Sequence, residues 1–116
     1  MDNKKIILNI RQCDRAIFDA ILDGSKKVET RAASTKFQNL KTGDIAVLKC
    51  GREKAERRIK TVRYVAGIDE LLKYYIVSDI NPSIKEREEL EKMYYSWPNY
   101  REKIEKFGLV AIEFEG

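Results

Sequence analysis

The sequence predicts an α+β domain or a mixed β-barrel, and three observations carry that reading. Short strand-like stretches stand near both ends and in the middle of the chain, alternating at the ends and apolar on both faces at Ile45 to Cys50. Stretches with helical spacing lie between them. The two kinds do not alternate regularly, which argues against a doubly wound parallel sheet.

Ile6, Leu8 and Ile10 alternate with Ile7 and Asn9, the pattern of a first strand. Asp14 is placed to cap a short helix whose apolar residues Ile17, Phe18, Ile21 and Leu22 share one face, and Gly24 suits its C-terminus. Lys26 to Arg31 reads as a short strand, with Lys27, Glu29 and Arg31 on one face and Val28 and Thr30 on the other. Thr42-Gly43-Asp44 marks a turn in which the Asp44 carboxylate accepts backbone N–H groups.

Ile45 to Cys50 is apolar on both faces, as in a central strand. The charged stretch Gly51 to Glu56 reads as a hairpin loop, and Arg58 to Ala66 as a strand ended by Gly67. Ile68, Leu71, Leu72 and Tyr75 have helical spacing. Asn81-Pro82 makes a turn, Ser83 with Glu86 forms a capping-box pattern, and Leu90, Met93, Tyr94 and Trp97 define the next helix face. Pro98 breaks that helix. Asn99 with Glu102 starts a last one that ends at Gly108. A final strand, Leu109 to Glu115, places Val110, Ile112 and Phe114 inward, and all three are expected to be buried. The order is β-α-β-β-β-α-α-α-β in a single domain over residues 1–116, without internal repeats or linkers.

Composition narrows the function. The chain contains no histidine, which excludes Ser-His-Asp and Cys-His catalysis and the commonest transition-metal ligand. Cys13 and Cys50 match no zinc or redox spacing and are expected as two buried free thiols. This reading calls for no cofactor and no metal. No apolar run approaches the ~20 residues of a membrane span, and the N-terminal apolar stretch is too short for a signal peptide, so a cytoplasmic protein is expected. Residues 1–66 hold 16 Lys and Arg against 8 Asp and Glu, a net of +8; residues 67–116 hold 7 against 11, a net of −4. The basic half suggests a polyanionic partner.

Several side chains carry candidate chemistry. Lys26, just after a helix-ending glycine, is either a solvated lysine at a helix C-terminus, a phosphate contact, or a general base if desolvated. Glu29 and Arg31 are either a mutual ion pair on the barrel wall or part of a cleft. In the cleft Arg31 would fork onto a phosphate or carbonyl, and Glu29 would accept from a base's exocyclic amine or orient Lys26. Arg52, Lys54, Arg57, Arg58, Lys60 and Arg63 would track a phosphate backbone or decorate a solvated hairpin. Tyr75, Tyr94 and Trp97 fall on apolar helix faces and are expected in the core. Tyr95 and Tyr100 are the better candidates for stacking on bases.

The run Gly24-Ser25-Lys26-Lys27-Val28-Glu29-Thr30-Arg31 fits Gly-x-Lys followed by x-x-Glu-x-Arg, and resembles the signature of the ASCH family. Gly43-Asp44 before a central strand, the helical Ile68-Asp69-Glu70-Leu71-Leu72, a tyrosine-bearing helical segment and the closing strand from Gly108 to Phe114 follow in the family's order. The resemblance spans nearly the whole chain. It implies a PUA-like mixed β-barrel of about five to six strands with flanking helices, a cleft beside the Lys-Glu-Arg strand, and RNA or modified nucleosides as ligands. Some small bacterial members are amidohydrolases of N4-acetylcytidine that use a lysine matching Lys26, a strand threonine and a later glutamate. Here Glu29 stands in the threonine's place, Thr30 lies one residue away on the opposite face, and no residue clearly matches the later glutamate.

The resulting expectation is a cleft in which Lys26, Lys27, Glu29 and Arg31, with Arg57, Arg58 and Tyr95, contact RNA or a nucleoside. Gly24, Gly43 and Asp44 are structural, and Lys26 and Glu29 are catalytic if the protein is an enzyme. Two alternatives stand beside binding: a hydrolase on the same cleft, either an amidohydrolase of acylated nucleosides or a metal-independent ribonuclease, and a protein-interaction adaptor. The adaptor would use an exposed stripe of Leu90, Met93 and Trp97.

Overall fold

The computed structural model describes residues 3–115. Five strands, β1 (Lys5–Ile10), β2 (Glu29–Ala32), β3 (Ile45–Cys50), β4 (Glu53–Val65) and β5 (Leu109–Phe114), form one sheet in the order β1-β3-β4-β5-β2. Only the β1–β3 pairing is parallel. Helix α1 (Arg15–Asp23) follows β1, and four helices lie between β4 and β5: α2 (Ile68–Leu71), α3 (Val77–Ile80), α4 (Arg87–Tyr95) and α5 (Tyr100–Phe107).

β4 curls the sheet. Its first half pairs with β3 and its second half with β5, and a bulge between Ile59 and Thr61 shifts the β4–β5 register just past the changeover. A bulge bends a strand and increases its twist, so the sheet rolls into a half-barrel. The edges of β1 and β2 face each other across a seam that no backbone ladder closes. Among the described residues one side-chain bond spans it, from Arg31 Nη2 to the Asn9 carbonyl at 3.1 Å.

Two apolar cores flank the sheet. Inside the curl, Ile6, Leu8 and Ile10 of β1 meet Ala46, Leu48, Ile59, Val110 and Ile112, covered by Phe18 and Ile21 of α1 and by Phe37 and Leu40. Behind β2, β5 and the end of β4, the residues Val28, Val65, Leu109 and Ala111 pack against Leu71, Ile80, Leu90, Tyr94 and Ile104 of the helices. The first four residues of β5 are therefore buried on both faces. Phe114 points inward with Val110 and Ile112 but sits at the rim, half-buried, where it packs on the inner core. Among the described residues no helix is long and apolar enough to cross a membrane.

Several local readings change. The second strand begins at Glu29, because the N–H groups of Lys27 and Val28 donate to the Asp79 carbonyl and that of Lys26 to Ala20. The expected 51–56 loop shrinks to a Gly51-Arg52 turn, and Glu53 to Glu56 pair with Val47 to Cys50. Those four residues are mostly exposed, so their strand carries charge at little cost and shows no apolar alternation. Asp14 makes no capping bond; Arg11 Nε holds its carboxylate at 2.9 Å. The Glu89 carboxylate accepts the Lys85 and Glu86 N–H groups at the start of α4, while Ser83 bonds the Asn81 side chain. Cys50 is a buried free thiol but Cys13 is exposed. Gly24 ends α1 at φ +85°. Asp44, fully buried, accepts the Lys4 and Lys41 N–H groups at 3.0 Å each.

Gly108, at φ +74°, joins α5 to β5 where an added Cβ would lie 2.4 Å from the Val65 carbonyl oxygen. Gly108→Ala should cost about 2–3 kcal/mol, from backbone strain and the clash together. Urea unfolding measures this directly, and an unchanged midpoint would show that the β4–β5 junction yields freely.

Candidate functional site

The seam between β1 and β2 opens into a cleft of about 340 Å³. Its floor is built by the turn after α1. Gly24 reverses the chain, and the Lys26 side chain then runs inward until it is only 6% exposed. Lys26 Nζ donates to the Ile80 carbonyl at the end of α3 and lies 3.3 Å from Glu29 Oε1. Glu29 is 5% exposed. Its Oε2 accepts both Arg31 Nε at 2.9 Å and Arg31 Nη2 at 2.8 Å. Lys26, Glu29 and Arg31 thus form one contiguous triad with Glu29 in the middle.

The register explains the faces. Glu29 pairs with Ile112 and Arg31 with Val110, both of which point into the barrel. Thr30 pairs with Ala111, which points to the helices, and its hydroxyl is hydrogen-bonded to the Tyr94 hydroxyl. Lys26, Glu29 and Asp44 are the buried charged residues among those described. Such groups persist only when paired and hydrogen-bonded.

Burial pushes the Glu29 carboxyl up, but Arg31 and then Lys26 outweigh it and hold it below the ordinary carboxylate range. For Lys26 burial wins: its ammonium is pushed below the usual lysine range despite the opposing charge and hydrogen bond of Glu29, with Arg31 adding to the shift. Burial also raises the Tyr94 and Tyr100 hydroxyls.

One wall of the cleft is aromatic. Trp97 and Tyr100 meet edge to face with centroids 4.9 Å apart, and Tyr94 stacks behind Tyr100 at 6.0 Å. The Tyr100 hydroxyl accepts the Ala32 N–H and so anchors this wall to β2. Pro98 and Lys103, and from the β1 side Asn9, Ile10, Arg11 and Ile17, also line the cleft. Among the described residues no group of three or more His, Cys, Asp and Glu converges as a metal site.

The other candidates lie elsewhere. Lys27 and Arg57 line a second cavity of about 550 Å³ with Leu22 and Phe114. Arg58, paired with Ile45, faces outward on β4, while Arg57, paired with the buried Ala46, faces inward. Tyr95 is exposed and lies under Arg101, 4.8 Å from ring centroid to guanidinium carbon. Tyr100, expected as an exposed contact, is half-buried in the cleft wall. Sequence reasoning missed Trp97, Pro98, Lys103 and Arg11 as cleft residues. The available signal was spacing: Trp97, Tyr100 and Lys103 recur every three residues, and Pro98 fixes the turn between them.

Fold and cleft together define an α+β PUA-like half-barrel whose seam opens between an aromatic wall and a buried ionic floor. The family model of the ASCH domain matches residues 12–116, and the chain belongs to that family. The crystal structure of hypothetical protein PH0355 is similar over 97% of both chains, at 28% identity and a TM-score of 0.81. The solution structure of protein PF0455 from Pyrococcus furiosus is similar over 96% of both chains, at 26% identity and a TM-score of 0.73. No curated protein matches the chain.

Proposed function

We propose that the protein binds RNA or a modified nucleoside in the seam cleft, with Lys26, Glu29 and Arg31 as its polar floor, and acts in the cytoplasm. The family's general link to RNA binding supports this reading. The observation that carries it is the juxtaposition of the Trp97–Tyr100 wall with the buried triad in one cleft. Aromatic walls hold bases by stacking, worth ~1–3 kcal/mol per base. Glu29 offers a carboxylate to a base's amino group, and Arg31 Nη1, unbonded among the described residues, is available to a carbonyl or phosphate.

A panel of modified nucleosides and short RNAs, read by mass spectrometry for both binding and product, tests the reading. Trp97→Ala should weaken any ligand found by about tenfold or more. The variant's fold is checked by circular dichroism, because Trp97 also packs on the second core. Unchanged affinity in a folded variant would remove the aromatic wall from the site.

One observation favours a hydrolase on the same cleft. Lys26 is desolvated, shifted below the lysine range and in contact with a carboxylate, as a proton-transferring amine needs to be. The substrate would be an acylated nucleoside or RNA. The adaptor reading lacks its expected surface, since Leu90 is fully buried and Met93 and Trp97 pack against the second core.

A further inference from the structure

We infer that the cleft takes its ligand as a phosphomonoester, either a nucleoside monophosphate or the phosphorylated end of an RNA, with the phosphate held at the mouth between Arg11 and Lys103. This rests on the nucleoside-binding reading of the cleft and adds the charge state and the placement of the ligand.

Charge is the first argument. The cleft is lined by the cations Arg11, Lys26, Arg31 and Lys103 and by the anions Asp14 and Glu29, a net of +2. A phosphomonoester carries about −1.5 to −2 near neutral pH. An internal phosphodiester carries a single negative charge and a free nucleoside none, so both would leave positive charge uncompensated.

Placement is the second. Arg31 is held at the floor, with Nη1 alone unbonded among the described residues: its Nε and Nη2 serve Glu29, and Nη2 also bonds the Asn9 carbonyl. Lys26 is likewise spent on Ile80 and Glu29. The cations at the mouth are freer. Arg11 meets Asp14 only through Nε, and among the described residues no carboxylate lies within ion-pair distance of Lys103. Arg11 follows β1 and Lys103 stands on α5, one turn beyond Tyr100; both are exposed and both line the cleft. A base stacked on the face of Trp97 or of Tyr100, whose rings stand at 86° to each other, would carry its phosphate outward towards Arg11 and Lys103.

Size is the third. About 340 Å³ lies near the lower end of the ~300–1,000 Å³ typical of small-ligand sites. That is room for one nucleotide and not for a run of them.

Isothermal titration calorimetry on the full chain tests the inference. Its arms are cytidine, uridine, adenosine and guanosine; their 5′- and 3′-monophosphates; five-nucleotide RNAs with hydroxyl or phosphate ends; and inorganic phosphate. At least one monophosphate should bind about tenfold or more tightly than its nucleoside. That advantage should shrink as salt rises, and Lys103→Ala, a change at an exposed position, should remove most of it. A gain for the free nucleotide or for the phosphorylated RNA end identifies which source is used. If nucleosides and monophosphates bind equally, or RNA binds regardless of its ends, the phosphate inference fails and the cleft reading stands. If no arm binds, both fall.

Discussion

Glu29→Gln should destabilise the protein by about 3–5 kcal/mol near neutral pH, the usual cost of removing one partner from a buried ion pair. The substitution keeps the shape of Glu29 and leaves Lys26 and Arg31 beside each other without an anion between them. Lys26 can escape by losing its proton. That escape caps its share of the cost at ~1.4 kcal/mol per pH unit below the free-lysine value near 10.4, or roughly 4.6 kcal/mol at pH 7.

The cost should therefore depend on pH from both sides. In the wild type the folded Glu29 pKa lies below its unfolded value. Its stabilisation is fully present above the ordinary carboxylate range and is lost as pH falls through the lower folded value. The folded Lys26 pKa is also below its unfolded value, so that group too adds stability as pH rises towards 10.4, and more so in the variant, where no carboxylate opposes the shift. The difference between wild type and Glu29→Gln should be widest between about pH 5 and 8 and should narrow in acid and in alkali. Urea unfolding at acid, neutral and alkaline pH measures this. A loss under about 1 kcal/mol that is flat with pH would mean that water screens the triad despite its burial.

The same triad shows what a sequence makes visible. Glu29 and Arg31 sharing a face was legible because a two-residue spacing on a strand fixes it. Continuing the strand backwards places Lys27 on that face too, but the ladder begins only at Glu29, and the turn after Gly24 sends Lys26 inward and Lys27 to solvent. The αL glycine was readable; the direction of the side chain two residues later depends on where Ile80 places its carbonyl, a contact 54 residues away in the chain. The succession of strands along the chain was legible from their apolar residues, but not their order in the sheet. The charged half of β4 was not, because its side chains stay in water and leave no apolar period. The short helix α3 is a single turn, too brief to show a period. The aromatic wall was hidden differently: a half-buried Trp97 satisfies the helical pattern equally well as core or as cleft lining, and only the unclosed seam beside it separates the two.

Lys26 is where binding and catalysis part, and the geometry selects the substitution that tells them apart. Lys26→Arg would force a bulkier guanidinium into a site where Nζ already meets both Ile80 and Glu29, and overpacking alone costs about 1–3 kcal/mol. Lys26→Met is the cleaner change, since it keeps the length of the chain, removes the amine and leaves Glu29 still paired with Arg31. The protein should remain folded with a loss of about 1–2 kcal/mol, chiefly from the Ile80 carbonyl left without its donor, and so should be less damaged than by Glu29→Gln. If the cleft only binds, ligand affinity should stay within about tenfold, because stacking and Arg31 remain. If the cleft hydrolyses an acylated nucleoside or RNA with Lys26 moving the proton, turnover should drop by about 10²–10⁴ while affinity persists. The wild type should also lose activity as falling pH keeps the amine protonated, and Lys26→Met should show no such limb. A folded Lys26→Met protein with wild-type binding, turnover and pH profile would take Lys26 out of the chemistry and leave it as a buried strut between α3 and β2.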